Sequence, residues 1–361
     1  MSQVLSNKQK LRRFARAAWV RFLALSGLLR WAEWRLARRG AIVVLTFHRV
    51  LSDAEFAATD SPHGMLLKGD TFDDLVDCVR RRFAPVSLAE ENGHPRQAGK
   101  RVAIALTFDD GWQDNFVHAA PIAARHKVPL TIFICPALVG MELPFWPERV
   151  MGLWRAAEER GMSAKFSELC AEVRQLSGTP TTPPGEETPE TLVELLKKLS
   201  SQHRSNAIVR MQELVGTAAP TSRIPGLDST MTWHNVQELA QAAVSFGSHS
   251  YSHELLPRIS LQHAEREIGD SKRALEEKMS KPCTLFAYPN GDSSPEVRNL
   301  VGAAGYKLAF INRPGAWVDN TDPLLIPRVN IWEGSVVGPS QRFSALAFRY
   351  VVLWKAYRTL N

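Results

Sequence analysis

Val102-Ala103-Ile104-Ala105-Leu106-Thr107-Phe108-Asp109-Asp110-Gly111 is a short apolar run that ends in two carboxylates and a glycine. Such a run, bounded by charge on both sides, predicts a strand buried on both faces. Gly111 lets the chain turn sharply where the strand ends. In a sheet covered by helices, ligands bind at the carboxyl ends of the strands. Two adjacent acids there repel each other unless something positive lies between them, and a metal ion is the simplest candidate. Asp-Asp-Gly is also ordinary turn chemistry, so this stretch alone leaves a hydrated turn open.

Working outward, the same kind of strand recurs with helical patterns between. Ala41–Phe47 is apolar and ends at His48-Arg49. A helix is predicted over 71–82, a short strand over Pro85–Leu88, a helical stretch over His118–His126 and a strand over Leu130–Ile134. The rhythm breaks at about 148–228, where helical patterns surround Thr179-Pro180-Thr181-Thr182-Pro183-Pro184-Gly185, a loop by composition. It resumes with a helix from about Thr232 to Ala242, the strand Ala243–Phe246 and a long helix over 261–279. Then come the strand Thr284–Tyr288, a helix opened by Ser294-Pro295, and strands at Leu308–Ile311 and Leu324–Val329. Seven or eight strands alternating with helices predict an α/β fold: a (β/α)7-8 deformed TIM-like barrel with a helical insertion.

The chain has 361 residues, enough for one such barrel, and its hydrophobic content of 45% is that of a globular protein. Four cysteines, widely spaced and without a Cys-x-x-Cys pair, argue against a disulfide framework and a cysteine zinc site. The formal charge of +7 is concentrated in residues 8–39, where ten Lys and Arg face the single acid Glu33. Leu11, Phe14, Ala18, Phe22, Leu25 and Leu29 recur there at helical spacing, with Trp19, Trp31 and Trp34 nearby. Residues 1–40 therefore read as a basic amphipathic helix suited to an anionic membrane surface, too charged to span a bilayer and a poor signal peptide. The alternative is a helix packed on the protein with its arginines in water. No recognised module supports nucleic acid as a partner. Residues 333–361 carry a second amphipathic helix that can lie beside the first, leaving 41–332 as the barrel.

Gly247-Ser248-His249-Ser250-Tyr251-Ser252-His253 follows another predicted strand. Two His four apart meet on one side of a helical turn, a spacing at which two imidazoles bind one metal. Joined to Asp110 at an equivalent strand end, they make a His, His, Asp set with a position left for water, the catalytic arrangement of zinc. The combination resembles the NodB-type polysaccharide deacetylases of carbohydrate esterase family four. Thr107 to Gly111 matches their first motif, His249 to His253 their second, and Ala287-Tyr288-Pro289-Asn290-Gly291 loosely their third. The family's Arg in the third motif is replaced by Ala287, and no Leu-x-x-His appears near the C-terminus. Phe47-His48, before the Asp-Asp-Gly strand, is similar instead to the permuted poly-N-acetylglucosamine deacetylase branch.

The resemblance implies Asp109 as catalytic base and Asp110, His249 and His253 as ligands of a divalent metal, Zn2+ by default with Co2+, Ni2+ or Mn2+ able to use the same ligands. It implies His48 as general acid, with a hydrogen-bonded structural histidine as the alternative. It also implies the backbone N–H of Asn290 as an oxyanion donor. Arg328 is a candidate for holding Asp109 ionised. Trp112, Tyr288 and Trp332 are candidates for stacking on a sugar, each equally able to be core. His63 can approach the mouth from its loop, while His118, His126, His203, His234 and His263 read as surface or capping residues. The expected activity is metal-dependent removal of an N-acetyl or other N-acyl group from an amino sugar of a polysaccharide or lipid-linked glycan. A deformylase or deacylase of a small or lipid-linked sugar, or a catalytically inactive glycan-binding barrel, are the alternatives. The expected location is cytoplasmic, at the inner face of the cytoplasmic membrane. Oligomeric state is left open.

Overall fold

All six residues from Ala103 to Phe108 are buried, and they form one strand of a closed parallel barrel. The computed structural model describes residues 7–89, 101–143, 145–179, 188–216, 222–242 and 244–360. Its strands are β1 (Ile42–Phe47), β2 (Arg49–Leu51), β3 (Leu66–Lys68), β4 (Ala84–Pro85), β5 (Ala103–Phe108), β6 (Leu130–Ile134), β7 (Val244–Ser248), β8 (Leu285–Ala287), β9 (Leu308–Ile311) and β10 (Ile326–Asn330). The order β1-β10-β9-β8-β7-β6-β5 closes on itself because β1 also pairs with β5, from Ile42 opposite Ala103 to Phe47 opposite Phe108. Seven strands complete the ring. β4 stays outside it, shorter than the expected Pro85–Leu88. It pairs only with the start of β5, and Pro85 has no N–H to extend a ladder. Beyond Leu106 that edge of β5 belongs to β6. β2 and β3 form a separate parallel pair that the apolar pattern did not announce.

Alternation along the strands sorts the apolar side chains into two clusters. Val43, Leu45, Phe47, Ile104, Leu106, Phe108, Ile132 and Phe286 pack with the helices outside. Ile42, Val44, Ala103, Ala105, Phe133, Leu285, Phe310 and Ile326 fill the barrel, with Trp317 closing the end where the strands start. Gly247 is on the inward register, and a Cβ there would come within 2.6 Å of the Phe133 ring. The inward set turns polar towards the other end: Thr46 and Thr107 share a hydrogen bond at 3.1 Å, and Arg328 of β10 lies opposite Val44.

The insertion forms helices Trp146–Glu159, Ser163–Leu176, Pro189–Leu196 and Ser201–Val215. They gather an apolar cluster of their own, including Val150, Leu153, Phe166, Leu196 and Met211. Ion pairs Arg155–Asp60 and Arg204–Glu254, both at 3.0 Å, tie them to loops at the strand ends. Residues 180–187, most of the expected loop, and Ala243, expected to begin β7, lie outside the described residues. The N-terminal segment is two helices where one was expected: α1 (Asn7–Leu25) and α2 (Leu28–Arg38), separated where Gly27 takes φ 78°. A side chain rarely adopts that conformation, so the glycine sets the corner. α2 packs on the C-terminal segment, where helix Ala345–Arg349 runs through a π-helical turn, Tyr350–Trp354, into Lys355–Tyr357. Trp31 meets Tyr357 edge to face, and Glu33 pairs with Arg349 at 2.7 Å. Among the described residues no helix is long and apolar enough to cross a membrane.

Candidate active site

Inward alternation carries β1 from Thr46 to His48, β5 from Thr107 to Asp109, and β7 from Gly247 to His249. Arg328 takes the matching place on β10. Asp109, His249 and Arg328 are buried, and His48 is partly so. Arg328 grips Asp109 with two parallel bonds, Nη1 to Oδ1 and Nη2 to Oδ2, both 2.7 Å. Burial, the largest influence, pushes the Asp109 carboxyl up, and the Arg328 charge is the strongest influence against it. Together with His249, the Arg328 hydrogen bonds and His48, it holds Asp109 below its ordinary value. Asp109 is therefore an ionised carboxylate in a water-poor setting.

Asp110 points elsewhere because it and Gly111 both have left-handed backbones, φ 74° and 70°. A side chain at Gly111 would strike Ile134, with Cβ 2.6 Å from Cγ2. Asp110 Oδ2 accepts from Trp112 Nε1 at 3.2 Å. Its Oδ1 lies 3.3 Å from His253 Nε2 and 3.6 Å from His249 Nε2, and is buried with no hydrogen-bond donor of the protein. Burial raises the Asp110 carboxyl. His253, its Nε2 3.3 Å away, then the charges of His48 and His249, overcome this and hold it well below the usual carboxylate range.

His249 donates from Nδ1 to the Ala287 carbonyl at 2.8 Å, which aims Nε2 into the site. Burial pushes its imidazole down to about 4, so the ring is neutral at neutral pH and its Nε2 lone pair is available. His253 reaches the same point by a different turn from the expected one. Ser250 and His253 have φ 61° and 64°, and the segment is not helical. Buried Glu267 shapes it, accepting from Tyr251 N, Ser252 N and Ser252 Oγ at 3.1, 2.8 and 2.7 Å. Ser250 Oγ accepts from His253 N at 3.0 Å. Phe145, at the entry to the insertion, packs edge-on against His253 with ring centroids 5.1 Å apart.

Ligand atoms of Asp110, His249 and His253 lie within 4.8 Å of one another. Two imidazole nitrogens and an ionised, orphaned oxygen facing a common point fit a divalent cation, and three ligands leave a further position for water or substrate. His48 is close enough for its charge to act on both aspartates, and its Nδ1 is buried without a hydrogen bond.

Two expected sugar-stacking residues are corrected. Trp112 is fully buried between Phe145 and the Arg49 guanidinium, which lies 4.2 Å from its ring centroid. Tyr288 is fully buried and donates its hydroxyl to the Leu324 carbonyl at 3.0 Å. Neither ring has a face to offer. Trp332, just beyond β10, remains 37% exposed at the strand-end rim. Asn290 is exposed, with φ 58°, three residues beyond the Ala287 that orients His249. Exposed His63 precedes Gly64, whose carbonyl accepts from Asn330 at 3.2 Å, so that loop also lies at the rim. His118, His126, His203, His234 and His263 lie beside local carboxylates or a serine hydroxyl.

Sequence reasoning missed a buried support. Arg49 pairs with Asp114 at 2.9 Å and Asp228 at 2.8 Å beneath Trp112. The available signal was a second charge directly after His48 at a strand end. It missed Glu148 too, buried on the first insertion helix with both carboxylate oxygens lacking a hydrogen bond. Burial, with the Asp110 charge added, pushes this carboxyl up to about 7.

A sequence profile described as polysaccharide deacetylase matches residues 96–165 and 183–309. YxkH of Bacillus subtilis (strain 168), which carries the name of a polysaccharide deacetylase, is 26% identical over 104 residues. That match spans 29% of this chain and 37% of the relative's length. Among solved structures, Streptococcus pyogenes deacetylase PplD in complex with acetate superposes with a TM-score of 0.51 at 17% identity, over 83% of this chain and 96% of that one. BC0361, a polysaccharide deacetylase from Bacillus cereus, gives 0.51 at 14% identity, over 86% and 69%. Both have the fold found here.

Proposed function

This chain belongs to the polysaccharide deacetylase family, and on that premise we propose that it is a metal-dependent amide hydrolase. It removes an N-acetyl group from an amino sugar of a polysaccharide or lipid-linked glycan. The observation that carries the reading is the convergence of Asp110 Oδ1, orphaned and buried, with His249 Nε2 and His253 Nε2, beside an Asp109 clamped by Arg328. A divalent ion on those ligands, zinc by default with cobalt, nickel or manganese admissible, lowers the pKa of water and polarises an acyl carbonyl.

The remaining work falls to the chain's own groups. Asp109, ionised and held on both oxygens, takes the proton of the attacking water. Arg328 orients that base and does not itself touch the substrate. The backbone N–H of Asn290 steadies the tetrahedral oxyanion. His48 gives a proton to the leaving amine; its buried Nδ1, without a hydrogen bond, supports a role beyond packing. Trp332 offers an apolar face to a sugar ring at the rim.

Acetate release from N-acetylated oligosaccharides, measured with and without chelator and zinc, tests this. Asp109→Asn is expected to lose at least about a thousandfold in turnover while keeping its metal content. Full activity in that variant, or equal activity after complete metal removal, overturns the reading.

A further inference from the structure

Trp19, Phe22, Leu25, Leu28, Trp31 and Trp34 recur at every third position across α1 and α2, and all six are exposed, from 36% for Leu28 to 89% for Leu25. The opposite faces of these helices, Val20, Leu23, Leu29, Ala32 and Leu36, are buried, so the folding requirement of the helix pair is already met. Aromatic side chains offer roughly 150–250 Å2 each. About half of that from the four aromatic residues, with Leu25 and Leu28 added, gives an apolar surface on the order of 500 Å2, in the upper part of what a monomer ordinarily leaves in water and of the size that marks an interaction site. Arg21, Arg30, Arg38 and Arg39 are exposed among them. The only acid between residues 15 and 39, Glu33, is bound by Arg349. Arg38 lies over Trp34, 5.3 Å from its ring centroid.

We infer that this face of α1 and α2 is a docking surface for an anionic phospholipid bilayer. Its tryptophans and leucines enter the headgroup boundary while its arginines pair with lipid phosphates. A protein partner of ordinary composition has no comparable reason to match bare arginines ringed around tryptophans, whereas a bilayer supplies both an apolar boundary and negative charge. The geometry also sets how the barrel meets the membrane. Arg16 of α1 donates to the carbonyls of Gly334, at 2.8 Å, and Ser335, in the turn that follows β10. The docking helices are thereby fastened to the strand-end rim, two residues from Trp332. Resting on the proposed deacetylase reading, this brings the mouth of the barrel to glycans carried on lipid.

Co-flotation of the full chain with vesicles tests the surface without reference to catalysis. The expected result is binding to phosphatidylglycerol-containing vesicles, at least tenfold weaker binding to pure phosphatidylcholine, and weakening at high salt. Phe22→Ser/Leu25→Ser/Trp34→Ser, all exposed positions, is expected to reduce binding at least tenfold with an unchanged melting temperature. Arg21→Glu/Arg30→Glu gives a second, charge-only variant with the same expected loss. Failure of the full chain to float, or undiminished binding in both variants, overturns the inference. So does sedimentation showing a dimer that the triple variant dissociates, since the face then joins two copies. If deacetylase activity is absent but flotation holds, the docking surface stands and the catalytic reading alone falls. With activity present, the triple variant should lose rate on vesicle-borne substrate and keep it on soluble oligosaccharide.

Discussion

Asp109 and Asp110 are adjacent, both buried, and held ionised by different partners. Arg328 clamps the first; His253 leads the groups acting on the second. On the proposed reading, the division separates a proton acceptor from a metal ligand within one dipeptide. Because Asp109 has its folded pKa depressed, the stability it contributes is present above the unfolded value and lost as pH falls through the folded one. Arg328→Met removes the clamp, so the Asp109 carboxyl rises. The acid limb of the kcat/KM profile is expected to move to higher pH by about one to two pH units, with kcat lower at every pH. Metal content should stay unchanged, because Arg328 contacts Asp109 and not the three ligands. An unmoved acid limb rules out Arg328 as the group that sets the base.

At the level of elements, each catalytic candidate stands where a strand gives way to a turn. The His-x-x-x-His spacing was legible in the sequence, but the turn that unites the two rings was not. It depends on Glu267, fourteen residues beyond His253, satisfying the backbone of Tyr251 and Ser252. The insertion helix Trp146–Glu159 likewise brings Glu148 towards Asp110 from a distant stretch of chain. Its folded pKa is raised to about 7 from an ordinary 4.5. The stability linked to its protonation is therefore fully present below the unfolded value and lost as pH rises through about 7. Glu148→Gln does not titrate. In chelator-treated protein its melting temperature relative to wild type is expected to rise between pH 5 and pH 8, by the equivalent of up to about 3 kcal/mol. A difference that does not change with pH places the Glu148 carboxyl in water after all.

For the whole molecule, closure of seven strands brings residues from positions 48, 109, 249 and 328 to one end of the barrel. On the proposed reading, a metal held by Asp110, His249 and His253 links the end of β5 to the turn after β7, so it should stabilise the fold as a unit. Zinc at about a hundredfold its Kd adds roughly 2.7 kcal/mol, a rise of several degrees in Tm for a chain of this size. Differential scanning fluorimetry of stripped protein should show that rise in wild type and its absence in Asp110→Ala and His253→Ala. A full rise in either variant means the ion binds elsewhere.

The seven barrel strands, their burial and the candidacy of Asp109, Asp110, His249 and His253 were legible in the sequence, because apolar runs and adjacent ligand types are local properties. Arg328 was only a candidate until β10 paired with β1, since reach across a barrel depends on register. Trp112 and Tyr288 looked suited to sugar, and only packing showed that both rings are enclosed. Arg49 showed only as a charge after His48 at a strand end, and Asp114, Asp228 and Glu148 gave no local sign: the partners of a buried charge are chosen by three-dimensional proximity, which no spacing along one chain encodes. The exposed row from Trp19 to Trp34 falls between the two. Its residues could be read off directly, but which face remained in water was decided by what α2 and the C-terminal helix cover.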